Sequence, residues 1–399
     1  MKKIMVIAGG DWQIDLIKCA KKMGYYVICS NLYEDSPAFK YCDAHEVSNV
    51  LDKEKNLEIA RKYQPDAVIS DQSDIAVPTV AYVNEQLGLN GIGYETARLF
   101  SNKYLLRNMC REQGFMIPEY KKCYKPEDAY ELLRKFGKII IKPIDSQSSR
   151  GVFTIMDKDQ LHRHYEESMS FSNSEKAFLA EEYLEGDEFT IDGLIVNGNH
   201  YPLCISIKKM YASNSNISQV QTYTTYHDTY DYDLLRKTNR DLIMHSGLKF
   251  GLTHSEYKFS KGRFYLIEAG ARGGGSNLSS KIVPFMSGID NYYYYIKSAL
   301  GETVDDSELK ELVLPKDNCA IMRFFDFEEG VVDRVLGKDV LLQSPYLIDY
   351  QLEIKRGDIL KVPQYGRLRP GYFVVAGTSF AAIQAEAEKI VRTVQIQYK

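Results

Sequence analysis

Short apolar runs alternate with amphipathic stretches along residues 1–93. The apolar runs, which are predicted strands because they are short and bounded by turn residues, are residues 3–8, 25–30 and 67–70. Residues 11–23 have helical spacing, and Asp52 can cap a second helix that runs to about Tyr63. Strands that alternate with helices imply a parallel sheet with crossover helices, so the pattern predicts an N-terminal α/β domain of βαβ units.

Beyond residue 93 the pattern becomes mixed α+β. Ser101 and Asn102 form a predicted helix start inside a helical connection at 94–118. The segments predicted after it are a small α+β unit at 119–185, a larger sheet at 186–314 and a further small α+β unit at 315–399. The elements predicted in the last unit are strands near 319–325, 347–353 and 371–377 and a helix from about 379 to 394. The tract 206–233 has weak periodicity, which predicts a mobile loop after a strand near 202–207.

Composition excludes several classes of protein. The chain has 399 residues, of which 44% are hydrophobic, enough for two or three compact units. A net charge of −4 gives no electrostatic footprint for nucleic acid, and no apolar run approaches a membrane span. The chain starts with MKKIMVIAGGD, whose apolar stretch is short and ends before Asp11, so this segment is a poor signal peptide. We therefore expect a cytoplasmic protein. Seven scattered cysteines with no CxxC pair indicate reduced thiols rather than a disulfide or zinc framework.

The opening strand, glycine pair and helix also invite a dinucleotide-binding interpretation. Gly9 and Gly10 lack the spacing and the third glycine of the GxGxxG fingerprint. An NAD-dependent oxidoreductase is therefore only a distant alternative. Asp71 and Asp74 lie at candidate strand ends, where open sheets bind ligands, but turn or helix-cap roles are more common for such residues.

A lysine ends the buried strand of the third segment. Ile139, Ile140 and Ile141 are short, apolar and β-branched, and Lys142 follows them. An ammonium in an apolar site is costly without a partner, and Asp145 is the only nearby acid in sequence. The loop that follows is small and polar and closes on Arg150 and Gly151, so its backbone amides can face an anion. Lysine, amide-rich loop and arginine together favour a polyphosphate over a plain polar turn.

Two carboxylates emerge from apolar strands later in the chain. Glu256 projects from the predicted strand HSEYKF, and Glu268 ends the predicted strand of FYLIEAGARGGGSN. Hard oxygen ligands, few in number and completed by phosphate and water, are what Mg²⁺ prefers. Either carboxylate alone would be an ordinary solvated strand end, but the pair after a phosphate-type loop predicts a magnesium site.

These motifs, in this order, resemble the ATP-grasp superfamily, specifically its carboxylate–amine (or thiol) ligase branch. The resemblance covers nearly the whole chain. Within the superfamily, the chain is most similar to biotin carboxylase, the ATPase subunit of phosphoribosylaminoimidazole carboxylase and the amino-acid ligases. Asn102, Lys103 and Arg107 match the family's NK-x-x-x-R pattern. The resemblance implies a pre-ATP-grasp domain at 1–93, a two-part ATP-grasp domain, and small-molecule acid and amine substrates, with a homodimer left open.

The resemblance also implies how ATP binds. The residues that it places beside the nucleotide are Lys103, Lys142, Ser148, Ser149, Arg150, Gly151, Glu181, Glu182, Leu184 and Glu188. Backbone groups of Glu182 and Leu184 would read the adenine edge, and Glu181 would accept from the adenine amino group. Glu188 would bind the ribose hydroxyls. Lys103 and Lys142 would neutralise phosphates, and the 145–151 loop would close over them as a lid that excludes water.

Chemistry on the acid is implied in the same way. Glu256 and Glu268 would hold Mg²⁺, with Mn²⁺ as the alternative ion. Arg272 would face the acyl phosphate beside Lys142, although a structural pairing of Arg272 with Glu268 is left open. The glycines at 273–275 would let a substrate approach the backbone.

One departure from the family pattern affects the metal site. The family reads Glu-x-Asn-x-Arg on this strand, with the asparagine on a second metal, whereas this chain has Gly270 there. The function predicted is an ATP-dependent ligase that activates a carboxylate as an acyl phosphate for attack by an amine. The alternatives are an ATP-dependent carboxylase that uses bicarbonate and a nucleotide-binding module that does not catalyse.

Overall fold

The computed structural model describes residues 1–399 and begins with a parallel sheet. Its strands are β1 (Lys3–Ile7), β2 (Tyr26–Asn31), β3 (Ala44–Val47) and β4 (Ala67–Ile69), in the order β3-β2-β1-β4. The helices of this region are α1 (Ile14–Lys22), α2 (Lys53–Tyr63) and α3 (Val77–Gln86). The side chain of Asp52 accepts a hydrogen bond from the N–H of Lys55, as its capping position predicts. The predicted α/β class is confirmed, while β3 was not expected because it is only four residues long and two of them, His45 and Glu46, are polar.

Two helices connect this domain to the next. They are α4 (Tyr94–Ser101), which the sequence did not reveal, and α5 (Lys103–Glu112). Asn102 separates them, and its side chain accepts from the N–H groups of Tyr104 and Leu105. The N–H of Lys103 donates to the carbonyl of Ile144 at 2.7 Å, so the start of α5 lies against the polar loop of the following segment.

A small antiparallel sheet follows. Its strands are β5 (Tyr120–Cys123), β6 (Ile139–Pro143), β7 (Phe153–Ile155) and β8 (Phe178–Glu182), in the order β5-β8-β6-β7. The helices α6 (Tyr130–Phe136) and α7 (Lys158–Ser170) accompany it. Ile139 and Ile141 are fully buried among apolar side chains, whereas Ile140 and Lys142 face the other side of β6.

A larger antiparallel sheet receives strands from two parts of the chain. The elements up to residue 310 are β9 (Asp187–Val196), β10 (Asn199–Met210), β11 (Ser218–Tyr223), α8 (Tyr232–His245), β12 (Gly251–Ser260), β13 (Arg263–Gly270), α9 (Val283–Ser287), α10 (Asn291–Ala299) and α11 (Ser307–Lys310). The remaining elements are β14 (Cys319–Phe324), β15 (Gly330–Leu336), α12 (Lys338–Leu342), β16 (Leu347–Gln351), β17 (Ile359–Leu360), β18 (Tyr372–Gly377), α13 (Phe380–Thr393) and β19 (Gln395–Tyr398). The eight-stranded order is β13-β12-β9-β10-β11-β14-β18-β16, and β17-β15-β19 form a separate small sheet.

Two features of this sheet differ from the sequence prediction. Strands β14, β18 and β16 extend the large sheet through β11, so the C-terminal segment does not build its main sheet alone. The tract predicted as a mobile loop contains the end of β10 and all of β11. The domain boundaries themselves stay predictions.

The N-terminal domain and the large sheet share one apolar core. A single cluster of 37 buried residues includes Ile4 of β1, Leu194 of β9 and Val374 of β18. Because this core is continuous, the ends of the N-terminal strands are held against the loop that follows β13. No helix of the chain is both long and apolar enough to cross a membrane.

Candidate active site

A cavity of about 120 Å³ lies between the small and the large sheet. Its lining includes eleven of the thirteen predicted site residues, namely Lys103, Lys142, Ser148, Ser149, Arg150, Glu181, Glu182, Leu184, Glu188, Glu256 and Glu268. Gly151 lies outside the lining, and Arg272 lines an adjoining cavity of about 170 Å³. Both cavities are lined by Glu188, Glu256 and Glu268, so the acidic residues stand where the two spaces meet.

Lys142 finds its partner in Glu181 on the neighbouring strand β8. The Nζ of Lys142 lies 2.6 Å from Oε2 of Glu181, whereas Asp145, the acid nearest in sequence, caps the N–H groups of Asn173 and Ser174. Burial lowers the pKa of Lys142 to about 8, although Glu181 acts in the opposite direction. Burial disfavours the charged ammonium of Lys142, so a second anion in the cavity would stabilise it.

Arg107 on α5 holds this pair in place, a role that its position in the motif alone did not predict. It is fully buried, and its Nε lies 2.8 Å from Oε1 of Glu181. Its Nη2 donates to the carbonyl of Ile267 on β13 at 2.6 Å. Burial acts to raise the pKa of Glu181, but Arg107 and Lys142 outweigh it and hold that pKa below its usual range. Arg107 thus connects the small sheet to the large sheet behind the cavity.

The loop after Lys142 has an unusual backbone. Ser148 and Ser149 have φ values of 63° and 57°, which serine rarely adopts and which occur at functional loops. Gly151 has a φ of 69°, and a Cβ there would lie 2.8 Å from the ring of Phe171, so packing requires this glycine. The carbonyl of Ser148 accepts from the N–H of Gly366 at 3.2 Å, which places the loop against the C-terminal segment.

The linker between the sheets has an open backbone donor at the cavity wall. The N–H of Glu182 donates to the carbonyl of Glu119 at 2.8 Å, and its side chain lies 2.9 Å from Lys261. Leu184 is buried at the cavity wall, and its N–H donates to no group of the chain. An amide of this kind suits the edge of a planar heterocycle.

Glu256 and Glu268 are opposed in the register of β12 and β13. Oε1 of Glu256 lies 2.7 Å from Nζ of Lys208, and Oε1 of Glu268 lies 2.9 Å from Nζ of Lys103. Burial acts to raise the pKa of Glu256, but Lys208 and His254 hold it well below its usual range. No group of three or more His, Cys, Asp or Glu side chains could hold a metal alone, so the pair fits an ion that phosphate and water complete.

Arg272 pairs with Asp74 rather than with Glu268. Its Nε and Nη2 donate to the two carboxylate oxygens of Asp74 at 2.8 and 2.7 Å, and its Nη1 donates to the carbonyl of Gly273 at 3.0 Å. A Cβ at Gly270 would lie 3.0 Å from Oδ1 of Asp74. The ion pair therefore fills the space that a side chain at position 270 would need, which explains the departure from the family pattern.

Gly273 and Gly274, two of the three glycines after Arg272, serve internal packing, whereas Gly275 lines the second cavity, so the predicted approach of a substrate to this backbone stays a prediction. A Cβ at Gly273 would lie 2.2 Å from Oγ of Ser279, and one at Gly274 would lie 2.8 Å from the side chain of Leu278. The N–H of Gly273 donates at 2.7 Å to Asp71, a fully buried carboxylate whose pKa is raised by burial. The Oδ2 of Asp71 also accepts from Tyr292 at 2.6 Å. These contacts fix the loop against the N-terminal domain.

Comparison with protein families finds two domains in the chain. Residues 136–280 match the ATP-grasp domain family, and residues 323–399 match the family of L-amino acid ligase C-terminal domain 2. The first range contains the cavity lysine, the polar loop and both opposed carboxylates. The predicted superfamily resemblance is confirmed.

Relatives cover part of the chain, and a solved structure covers all of it. A formate-dependent phosphoribosylglycinamide formyltransferase from Prochlorococcus marinus (strain MIT 9515) is 25% identical over 48% of this chain and 50% of that protein. An alanine–anticapsin ligase from Bacillus subtilis (strain 168) is 27% identical over 60% of this chain and 56% of that protein. The chain therefore spans about half the length of the curated relatives it matches. An L-amino acid ligase structure from Bacillus licheniformis shares the fold, with a TM-score of 0.85 at 21% identity over 100% of this chain and 99% of that chain.

Proposed function

We propose that this chain, in which residues 136–280 are an ATP-grasp domain and residues 323–399 an L-amino acid ligase C-terminal domain, is an ATP-dependent ligase that joins a carboxylate to an amine. The observation that carries the proposal is the position of Glu256 and Glu268 between two cavities. One cavity has lysines and an open linker amide, which suit a nucleotide. The other has Arg272, which suits an acid.

The nucleotide would lie in the first cavity. The N–H of Leu184 would donate to the adenine edge, and Glu188 would accept from the ribose hydroxyls. Lys103 and Lys142 would bind phosphate oxygens, and Ser148 and its neighbours would cover them. Both oxygens of Glu181 are bound to Arg107 and Lys142, so we assign Glu181 to holding Lys142 rather than to the adenine amino group.

Glu256 and Glu268 fit Mg²⁺, because they supply two adjacent carboxylates at the phosphate end of the cavity. The ion, with Mn²⁺ as a substitute, would neutralise phosphate charge. Lys103 and Lys208 now pair with these carboxylates, and we expect both lysines to turn toward phosphate when the ion binds.

The reaction would begin with attack of a substrate carboxylate oxygen on the γ-phosphorus, which breaks the bond to ADP and forms an acyl phosphate. The amine would then attack the acyl carbon, lose a proton, and release phosphate. Asp74 and Gly273 occupy three of the five N–H groups of Arg272, so two remain to face the acyl phosphate. Catalysis rests on positioning and on charge neutralisation.

The test is a screen of acid and amine pairs with the full chain and magnesium ATP. ADP and phosphate should form together when a matching pair is present, and ¹⁸O from the labelled acid should appear in the phosphate. AMP and pyrophosphate would mean adenylation and would refute the mechanism. Bicarbonate as the only effective acid would identify the carboxylase alternative. Glu268→Gln should be inactive, while Glu185→Gln, on the exposed surface, should match the native chain.

A further inference from the structure

The second cavity contains an arginine with no acidic partner. Arg369 follows a short turn at Gly366–Leu368 and precedes β18. Its Nε donates to the carbonyl of Gly366 at 2.7 Å, and its Nη1 donates to the carbonyl of Ser218 at 3.2 Å. These backbone contacts hold the guanidinium in place but do not neutralise its charge.

The other basic side chains of this cavity are all paired. Lys208 lies 2.8 Å from Glu188 and 2.7 Å from Glu256. Arg272 is bound by Asp74, and His254 lies 2.9 Å from a carboxylate oxygen of Asp192. Arg369 is therefore the only basic side chain that lines this cavity and has no carboxylate partner.

The guanidinium of Arg369 has a fixed orientation, and no carboxylate neutralises its charge. Its central carbon lies 3.4 Å from the ring centroid of Phe324, so the ring covers one face and leaves the edges open. Two of the five N–H groups are used, and three remain. Burial lowers the pKa of Arg369 to about 10, so the group is still charged at neutral pH. A partly buried cation without a counter-charge is costly, and a bound anion would offset that cost.

The position of Arg369 connects the reaction centre to the outside. Arg369, Phe324 and Gly366 also line a third cavity of about 690 Å³, whose other wall comes from the N-terminal domain. Arg369 therefore lies on the wall that the third cavity shares with the cavity of Arg272, Glu256 and Glu268.

We propose that Arg369 binds an anionic group, a carboxylate or a phosphate, at the end of the substrate remote from the reaction centre. This inference rests on the proposed function, which places the reacting end beside Arg272. It narrows the substrate class to molecules with two functional ends, such as an amino acid that reacts through its amine and is held by its own carboxylate.

The experiment measures binding rather than turnover. The full chain, saturated with Mg²⁺ and the non-hydrolysable analogue AMP-PNP, is titrated by calorimetry with matched pairs that differ only in one anionic group. The pairs are the common α-amino acids and their amides, succinate and succinamate, and O-phosphoserine and serine. The variants are Arg369→Gln, Arg369→Lys, and Arg367→Gln, which removes an exposed arginine from the turn that precedes Arg369.

We expect at least one charged member to bind the native chain tenfold or more tightly than its uncharged partner. Arg369→Gln should abolish that preference, Arg369→Lys should retain part of it, and AMP-PNP affinity should change less than twofold in both. A preference among the acids would identify the anion as carboxylate, and one confined to O-phosphoserine would identify it as phosphate.

Three results would overturn the proposal: no pair is discriminated, Arg369→Gln keeps the preference, or Arg367→Gln loses it equally. Arg369-dependent binding without ADP formation in the ligase screen would refute the proposed function and leave this site standing. ADP formation that is indifferent to Arg369 and to substrate charge would do the reverse.

Discussion

Nucleotide affinity should depend on pH through Lys142, and Lys142→Met isolates that dependence. Methionine keeps much of the apolar stem and removes the ammonium, while Arg107 still compensates Glu181 behind it. The buried lysine of the native chain has a pKa lowered to about 8, chiefly by burial. Because only the charged form attracts phosphate, ATP binding should weaken as the pH rises through 8.

The magnitude follows from the protonated fraction. At pH 9, one unit above a pKa of about 8, about a tenth of the lysine is charged, so affinity should fall about tenfold from its value at pH 7, or about 1.4 kcal/mol. Lys142→Met should lose the charge-assisted contact at every pH, which is on the order of 2–3 kcal/mol. Its affinity should therefore be roughly 30- to 150-fold weaker at pH 7.

Calorimetric titration with magnesium ATP between pH 7 and 9.5 measures both effects. His254, whose pKa is raised to about 9 by Asp192 and Glu256 against the effect of burial, titrates in the same range and is present in both proteins. The steeper fall of the native chain relative to Lys142→Met therefore reports Lys142 alone. Equal affinities at pH 7, or parallel pH profiles, would refute the assignment of Lys142 to phosphate.

Three further predictions concern the metal site, the buried core and Gly270, which stands where the family has asparagine. Activity should keep rising with free Mg²⁺ after ATP is fully complexed, because Glu268 and water can hold a second, more weakly bound ion where Gly270 supplies no ligand. Glu268→Gln should abolish turnover, and Glu256→Gln should reduce it less severely. Arg107→Met should lower the free energy of unfolding in urea by about 1–3 kcal/mol, because it removes the buried hydrogen bonds to Glu181 and to the carbonyl of Ile267 while Lys142 still compensates Glu181. Gly270→Asn should lower kcat far more than ATP affinity, because its side chain would displace Asp74 from Arg272.

Matched controls separate these effects from general damage. Arg111→Met lies on the exposed side of α5 and should leave the unfolding free energy within about 0.5 kcal/mol of the native value. Gly262→Asn lies in the hairpin turn between β12 and β13, where a Cβ meets nothing within 4 Å, and should retain activity. The metal prediction would be contradicted by activity that saturates at one Mg²⁺ per ATP together with a nucleotide-bound crystal that shows one metal. The core prediction would be contradicted by an Arg107→Met variant as stable as the native chain, and the third by a fully active Gly270→Asn variant.

Local pattern was enough for the order and type of most elements. Three consecutive isoleucines predicted strand β6 because they are short, apolar and β-branched, and the alternation of side chains along that strand places Lys142 on the cavity side. The helix predicted near 379–394 is α13, in which Ile383, Ala387 and Ile390 are buried. Helix α4 and strand β3 were missed because short, half-exposed elements carry little periodic signal.

The sequence by itself determined which residue types lie at the ends of which strands, because burial of one face of an element produces a local pattern of apolar residues. Only the tertiary structure decided how the charges pair. Arg272 and Asp74 are 198 positions apart, and Arg107 and Glu181 are 74 apart, so no local spacing could match them. The same is true of Arg369, whose lack of a carboxylate partner is visible only in the folded chain. Charge pairing depends on distance in space, and the fold sets that distance through the core shared by the N-terminal domain and the large sheet.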